Sequence, residues 1–190
     1  QFAKLAIAAA TLSLVSVPAA AVTNDQWDNA GTAVTIGLMA TGYGLSIAKE
    51  DNWQGAKQLS FALVGSGATS ELLKQLVHEE RPNGENDQSF PSGHTTIAFA
   101  SAGFMQKRYG WQIGLPATLA AAFVGFTRVQ SNNHYIQDVV AGAVIGGVGG
   151  STVGGGKGSV VMAVIGAVAG GLLGAASVFA LYAAINLVWI

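Results

Sequence analysis

The sequence predicts an all-α bundle of about six helices lying in a membrane. Three observations carry this. Hydrophobic residues make up 51% of the 190-residue chain and charged residues only 10%, against roughly 25% charged in ordinary soluble domains. Mean hydropathy is correspondingly positive, at +0.44. The apolar stretches run for 13 to 32 residues without the alternating polar period of a half-buried strand. Finally, glycine occurs 26 times, and glycine and serine scattered through apolar helices suit close packing in lipid.

Taken in order, residues 1–21 begin with a Lys4-bearing polar turn, run apolar from Leu5 to Val17 and finish Pro18-Ala19-Ala20-Ala21. That is the pattern of a secretory signal peptide. Cleavage after Ala21 is favoured, with a retained first membrane helix as the alternative. Residues 22–30, with Asp25, Trp27 and Asp28, read as a short exported polar stretch. Helices are expected near 31–48, 57–77, 94–106, 112–127, 137–150 and 159–190, within one domain over 22–190. Several fall short of the roughly 20 residues that span a bilayer comfortably. The glycine-rich stretch 142–158 reads as a flexible joint leading to the apolar tail helix 159–190. There Gly166, Gly170 and Gly174 share one helix face, open to intramolecular packing or to a second copy of the chain.

Charge placement orients the bundle. If 31–48 enters the membrane from outside, the breaks alternate, and Lys49, Lys57, Lys107, Arg108 and Lys157 fall inside, as the positive-inside rule expects. The breaks at 78–94 and 128–135 fall outside. The net charge of −1 argues against a nucleic-acid surface, which needs a broad basic patch. Absence of cysteine excludes disulfides, thiolate metal sites and cysteine nucleophiles, and leaves the compartment open.

Three polar clusters stand out against this apolar background. Lys74 and Arg81 are seven residues apart, about two turns, so on a helix continuing to Pro82 both cations share a face. Alone, such a pair is also what a solvated or snorkelling helix end looks like. Pro91-Ser92-Gly93-His94 precedes an apolar run and reads as a helix start capped by Ser92. Free N–H groups there can bind an anion, and Gly93 allows close approach to the main chain; an interfacial capping turn is the plainer alternative. His134 and Asp138 are four apart, a spacing that lets a carboxylate fix one imidazole nitrogen and leave the other as nucleophile or base. A structural His–Asp contact or half a metal site has the same spacing. With no further His or acidic cluster beside it, no metal is expected. His78 reads as a helix-end residue, and Glu79 and Glu80 as solvated acids. Together, Lys74, Arg81 and Arg128, a helix N-terminus and two histidines describe a phosphoryl site, since fixed cations can stabilise charge spread over equatorial phosphate oxygens.

These clusters resemble the signature of the type 2 phosphatidic acid phosphatase superfamily: Lys, six residues, Arg-Pro; Pro-Ser-Gly-His; then Ser-Arg, five residues, His, three residues, Asp. Lys74…Arg81-Pro82, Pro91-Ser92-Gly93-His94 and Thr127-Arg128…His134…Asp138 match every spacing, with Thr127 in the serine position. The resemblance implies that His134 attacks phosphorus to form a phosphohistidine, that Asp138 orients it and that His94 protonates the leaving oxygen. It further implies that Lys74, Arg81, Arg128, Ser92 and the Gly93 amide hold the phosphate, with no cofactor. The expected partners are a lipid phosphate or pyrophosphate and a membrane, with no nucleic acid. The expected location is the bacterial inner membrane with the site facing the periplasm. A soluble periplasmic acid phosphatase, a vanadium haloperoxidase of similar vanadate-binding residues and a non-enzymatic glycine-packed scaffold are the alternatives.

Overall fold

A computed structural model describes residues 22–50 and 52–153. These form five α-helices, α1 (Asn24–Lys49), α2 (Gln54–Leu76), α3 (Gly93–Tyr109), α4 (Trp111–Gln130) and α5 (Ile136–Val153), with no named strand among the described residues. They match the first five predicted segments. The predicted leader at 1–21 and the predicted sixth helix at 159–190, with its glycine-spaced face, lie outside the described residues.

Helix α1 starts earlier than its apolar pattern suggested. Thr23 forms a capping box: its hydroxyl accepts from the Gln26 N–H at 3.3 Å, and its own N–H donates to Gln26 Oε1 at 2.9 Å. This satisfies two otherwise orphaned donors, while Asp25 in the first turn and Lys49 in the last complement the helix dipole. The expected polar lead-in is therefore the first turns of α1. Gly110, at φ +83°, separates α3 from α4, a backbone conformation costly for any residue with a Cβ.

Helix α3 is the axis of the bundle and packs against all four others. Its small buried residues, Ala98, Ala100, Ser101 and Ala102, let neighbouring helices approach closely. The main core lies around Leu59, Leu63, Phe104, Met105, Ala121 and Val124, and a second cluster of Leu73, Phe90, Ala141 and Ile145 underlies the polar end.

The glycine-rich stretch corrects the prediction of a flexible joint at 142–158. Its described part, to Val153, is regular α5. Gly142, Gly146 and Gly150 are one turn apart and face the backbone of α3. A Cβ on Gly142 would stand 2.6 Å from the Ser92 carbonyl oxygen, and one on Gly146 or Gly150 would overlap the carbonyl oxygens of Thr96 or Ala100. Main chain meets main chain here, so low side-chain complexity reflects contact rather than looseness.

The outside is apolar. Leu115, Leu119, Phe123 and Phe126 form an exposed stripe on α4, joined by Ile36, Val64, Leu72, Ile136 and Val140 on other helices. Among the described residues two helices, Asn24–Lys49 and Ile136–Val153, are long and apolar enough to cross a membrane.

Candidate active site

Up-and-down connectivity brings the start of α1, the end of α2, the start of α3, the end of α4 and the start of α5 to one end. There they enclose a cavity of about 480 Å³. Of the eight predicted site residues, Lys74, Arg81, Gly93, His94, Arg128 and His134 line it, while Ser92 and Asp138 are fully buried and absent from its lining. Residues more than fifty positions apart in sequence thus share one space.

Helix α2 does not continue to Arg81, contrary to the prediction. It ends at Leu76, with Val77 extended, and the following loop turns back on itself. Ser89 N–H donates to Glu79 O at 2.9 Å and Arg81 N–H to Asn86 O at 2.9 Å, so the loop satisfies its own backbone without more helix. Lys74, in the last turn of α2, donates from Nζ to the carbonyls of Gln88 at 2.8 Å and Ser89 at 3.3 Å. Arg81 reaches the cavity from the loop, its Nε donating to Asn86 Oδ1 at 3.0 Å.

Ser92 caps α3 by position, but its hydroxyl bonds Thr95 Oγ1 at 2.9 Å rather than a backbone N–H. Its own N–H donates to the Asp138 carbonyl at 3.0 Å, tying the start of α3 to α5. A Cβ on Gly93 would meet nothing within 4 Å, so open space reaches the main chain there. His94 Nε2 lies 3.2 Å from Thr32 Oγ1 of α1.

A tight turn carries the chain from α4 into α5, with Asn132 at φ +55°, a conformation asparagine tolerates better than most. The N–H groups of Asn133 and His134 donate to the Arg128 carbonyl, which places His134 directly after the buried end of α4. His134 precedes α5 rather than opening it. Its Nδ1 stands 3.4 Å from Asp138 Oδ2, long for a hydrogen bond. The same oxygen accepts from Ser89 Oγ at 2.6 Å and from the Tyr135 N–H at 2.9 Å. Burial lowers the His134 pKa below its ordinary value; Asp138 opposes this, and the cations of Lys74 and Arg81 add to it.

The cavity is not purely cationic. Asp25, Asp28 and Glu85 also line it. Arg128, 1% exposed, donates from Nη1 to Asp28 Oδ1 and from Nη2 to Asp28 O, while the Asn133 amide also donates to Asp28 Oδ1. Sequence reasoning missed Asp28, Asn133, Thr32 and Ser89 as site residues. Asn133 could have been suspected from its place before His134, whereas nothing local links Ser89 to Asp138, 49 residues on. His78 faces outward against Asp87 at 3.2 Å. Glu79, expected to be solvated, is half-buried and accepts from Gln137 Nε2 at 2.6 Å. Among the described residues no three His, Asp or Glu side chains stand together as a metal site would require.

An all-helical bundle with two histidines and three cations around one cavity is the class that fold and site define. The chain belongs to the PAP2 superfamily, whose family model matches residues 55–153, that is, α2 through α5. It is similar to a lipid A 1-phosphatase of Porphyromonas gingivalis, 39% identical over 70 residues, covering 35% of this chain and 16% of the relative. A lipid A 1-phosphatase of Rhizobium johnstonii is 34% identical over 113 residues, covering 50% and 44%. The bacitracin transport permease protein BcrC of Bacillus licheniformis is 48% identical over 66 residues, covering 33% and 30%. The chain spans less than half the length of these relatives. No solved structure matches significantly.

Proposed function

We propose that this protein is a phosphatase that hydrolyses a phosphomonoester or pyrophosphate on a membrane lipid through a phosphohistidine. The observation that carries the reading is the meeting of His94 and His134 with Lys74, Arg81 and Arg128 around one cavity. Family membership and relatives named as lipid A phosphatases support it.

In this mechanism the phosphate sits among Lys74, Arg81, Arg128 and the Gly93 amide, with Ser92 buried behind the lining at the start of α3. His134 Nδ1 faces Asp138, so Nε2 attacks phosphorus. The N–P bond forms as the bond to the leaving oxygen breaks, and His94 donates its proton to that oxygen. Water then attacks phosphorus, His94 takes the water's proton, the N–P bond breaks and inorganic phosphate departs. Cations held before the reaction begins stabilise the charge on the equatorial oxygens without reorganisation.

The apolar exterior, the two span-length helices and the sorting of Lys49, Lys107 and Arg108 to the end away from the cavity support a membrane setting. In this reading the membrane is the bacterial inner membrane and the cavity opens on its periplasmic face, opposite the end that gathers those cations. Phosphatidic acid, phosphatidylglycerophosphate, undecaprenyl pyrophosphate and lipid A phosphates all fit a pocket defined by its phosphate end.

Purified protein, assayed for phosphate release with EDTA present across those lipids and water-soluble monoesters, tests the reading. Release from at least one lipid is expected, with a loss of at least about a hundredfold in His134→Ala or His94→Ala. Undiminished turnover in His134→Ala would overturn the mechanism.

A further inference from the structure

Glu79 sits on the loop between α2 and α3 with its backbone fixed on both sides, Ser89 N–H donating to its carbonyl and its own N–H to Val77 O. Its Oε1 accepts from Gln137, the neighbour of Asp138. Its other oxygen, Oε2, is buried and finds no hydrogen-bond donor among the described residues, and the same holds for Asp138 Oδ1. Ser89 joins the two residues, its N–H donating to the Glu79 carbonyl at 2.9 Å and its hydroxyl to Asp138 Oδ2 at 2.6 Å.

Two ionised carboxylates so joined would leave two buried oxygens without a donor, a costly arrangement. One proton satisfies both. Asp138 Oδ2 already accepts from Ser89 and Tyr135 and faces His134, the environment of a carboxylate, so the proton belongs to Glu79.

We infer that Glu79 is a positioning residue of the site: as a neutral acid it donates from Oε2 to Asp138 Oδ1, extending the chain of contacts to Gln137, Glu79, Asp138 and His134. Its effect on turnover rests on the phosphatase reading; its protonation does not. Burial and the adjacent Asp138 push the Glu79 pKa up to about 7, with the Gln137 bond opposing them. The other charged groups facing Asp138 are His134 from the α4–α5 turn and Lys74 from α2, and Arg81 from the loop acts on His134. Above neutrality Glu79 ionises, the shared hydrogen bond is lost, and Asp138 is repelled from behind and holds His134 less firmly.

Glu79→Gln keeps an acceptor for Gln137 and supplies a donor to Asp138 that does not titrate. Infrared titration of the full chain should show a protonated carboxyl band that disappears near pH 7 in the wild type and is missing in Glu79→Gln. The kcat of the variant should equal that of the wild type at pH 6 and exceed it by up to about tenfold at pH 8.5, the worth of one hydrogen bond. Glu79→Ala should be slower than Glu79→Gln throughout. Absence of the band in the wild type, or its survival in Glu79→Gln, overturns the protonation. Superimposable kcat profiles, or a Glu79→Gln enzyme impaired at pH 6, overturn the positioning role. A normal band with no phosphate release from any substrate refutes the phosphatase reading instead.

Discussion

Asp28 clasps Arg128 with two acceptors, its carboxylate taking Nη1 at 2.7 Å and its carbonyl Nη2 at 2.6 Å. The contact joins α1, outside the matched family segment, to a motif arginine inside it. Removing one partner of a buried ion pair costs about 3–5 kcal/mol, but the Asp28 side chain is 41% exposed, which reduces the expectation to about 1–2 kcal/mol. Asp28→Ala should lower the thermal midpoint by about 2–8 °C and raise KM more than it lowers kcat, because Arg128 loses its fixed direction. Asp28→Asn, which keeps both acceptors, should recover most of the midpoint. Melting curves beside a kcat and KM determination separate the two effects.

The α3–α5 contact predicts opposite outcomes at adjacent glycines. A Cβ at Gly146 would overlap the Thr96 carbonyl, while one at Gly147 meets nothing within 4 Å. Gly146→Ala should destabilise by at least about 1–3 kcal/mol, as overpacking does. Gly147→Ala should be neutral or stabilising by up to about 1 kcal/mol through helix propensity. Chemical denaturation of the two variants measures the contrast, and equal midpoints would contradict the contact.

At the far end, Glu50 receives Arg108 through Nε at 2.5 Å and Nη2 at 2.6 Å, while Nη1 donates to Gln58. Both side chains are largely buried, so Glu50→Gln should cost about 3 kcal/mol yet leave kcat/KM within about twofold well below the melting point. The Arg108 bond holds the Glu50 carboxyl below its ordinary range despite burial. A depressed carboxyl stabilises the fold above its unfolded pKa and loses that contribution as pH falls through the folded one. Acid melting of the wild type from pH 5 downward should therefore be steeper than that of Glu50→Gln.

A nucleophilic imidazole must be neutral to attack. Because the His134 pKa lies below its ordinary value of about 6.5, the neutral form persists further into acid. The acid-side half-point of kcat/KM should then fall below pH 6.5. Lys74→Met removes one of the cations that depress it and should move that half-point upward. A pH–rate series on a soluble monoester checks both.

The five helices were legible because long apolar runs and their polar breaks repeat the bundle's own alternation. Six of the eight site residues share the cavity because motif spacing encodes local geometry. What spacing does not encode is how loops return. Arg81 looked helical because nothing nearby announces that α2 stops at Leu76. Glu79 looked solvated because its partner Gln137 lies 58 residues away. The glycines of α5 looked loose because composition cannot distinguish an absent side chain that frees the backbone from one that admits a neighbour.

That main-chain seam has a consequence for how the protein can diverge. The offset between the start of α3, bearing His94, and the start of α5, bearing Asp138, is gauged by carbonyls resting on glycines rather than by interchangeable side chains. The outward residues of α4 are thereby released to drift with whatever surrounds them, while the spacing of the reacting groups stays calibrated from within.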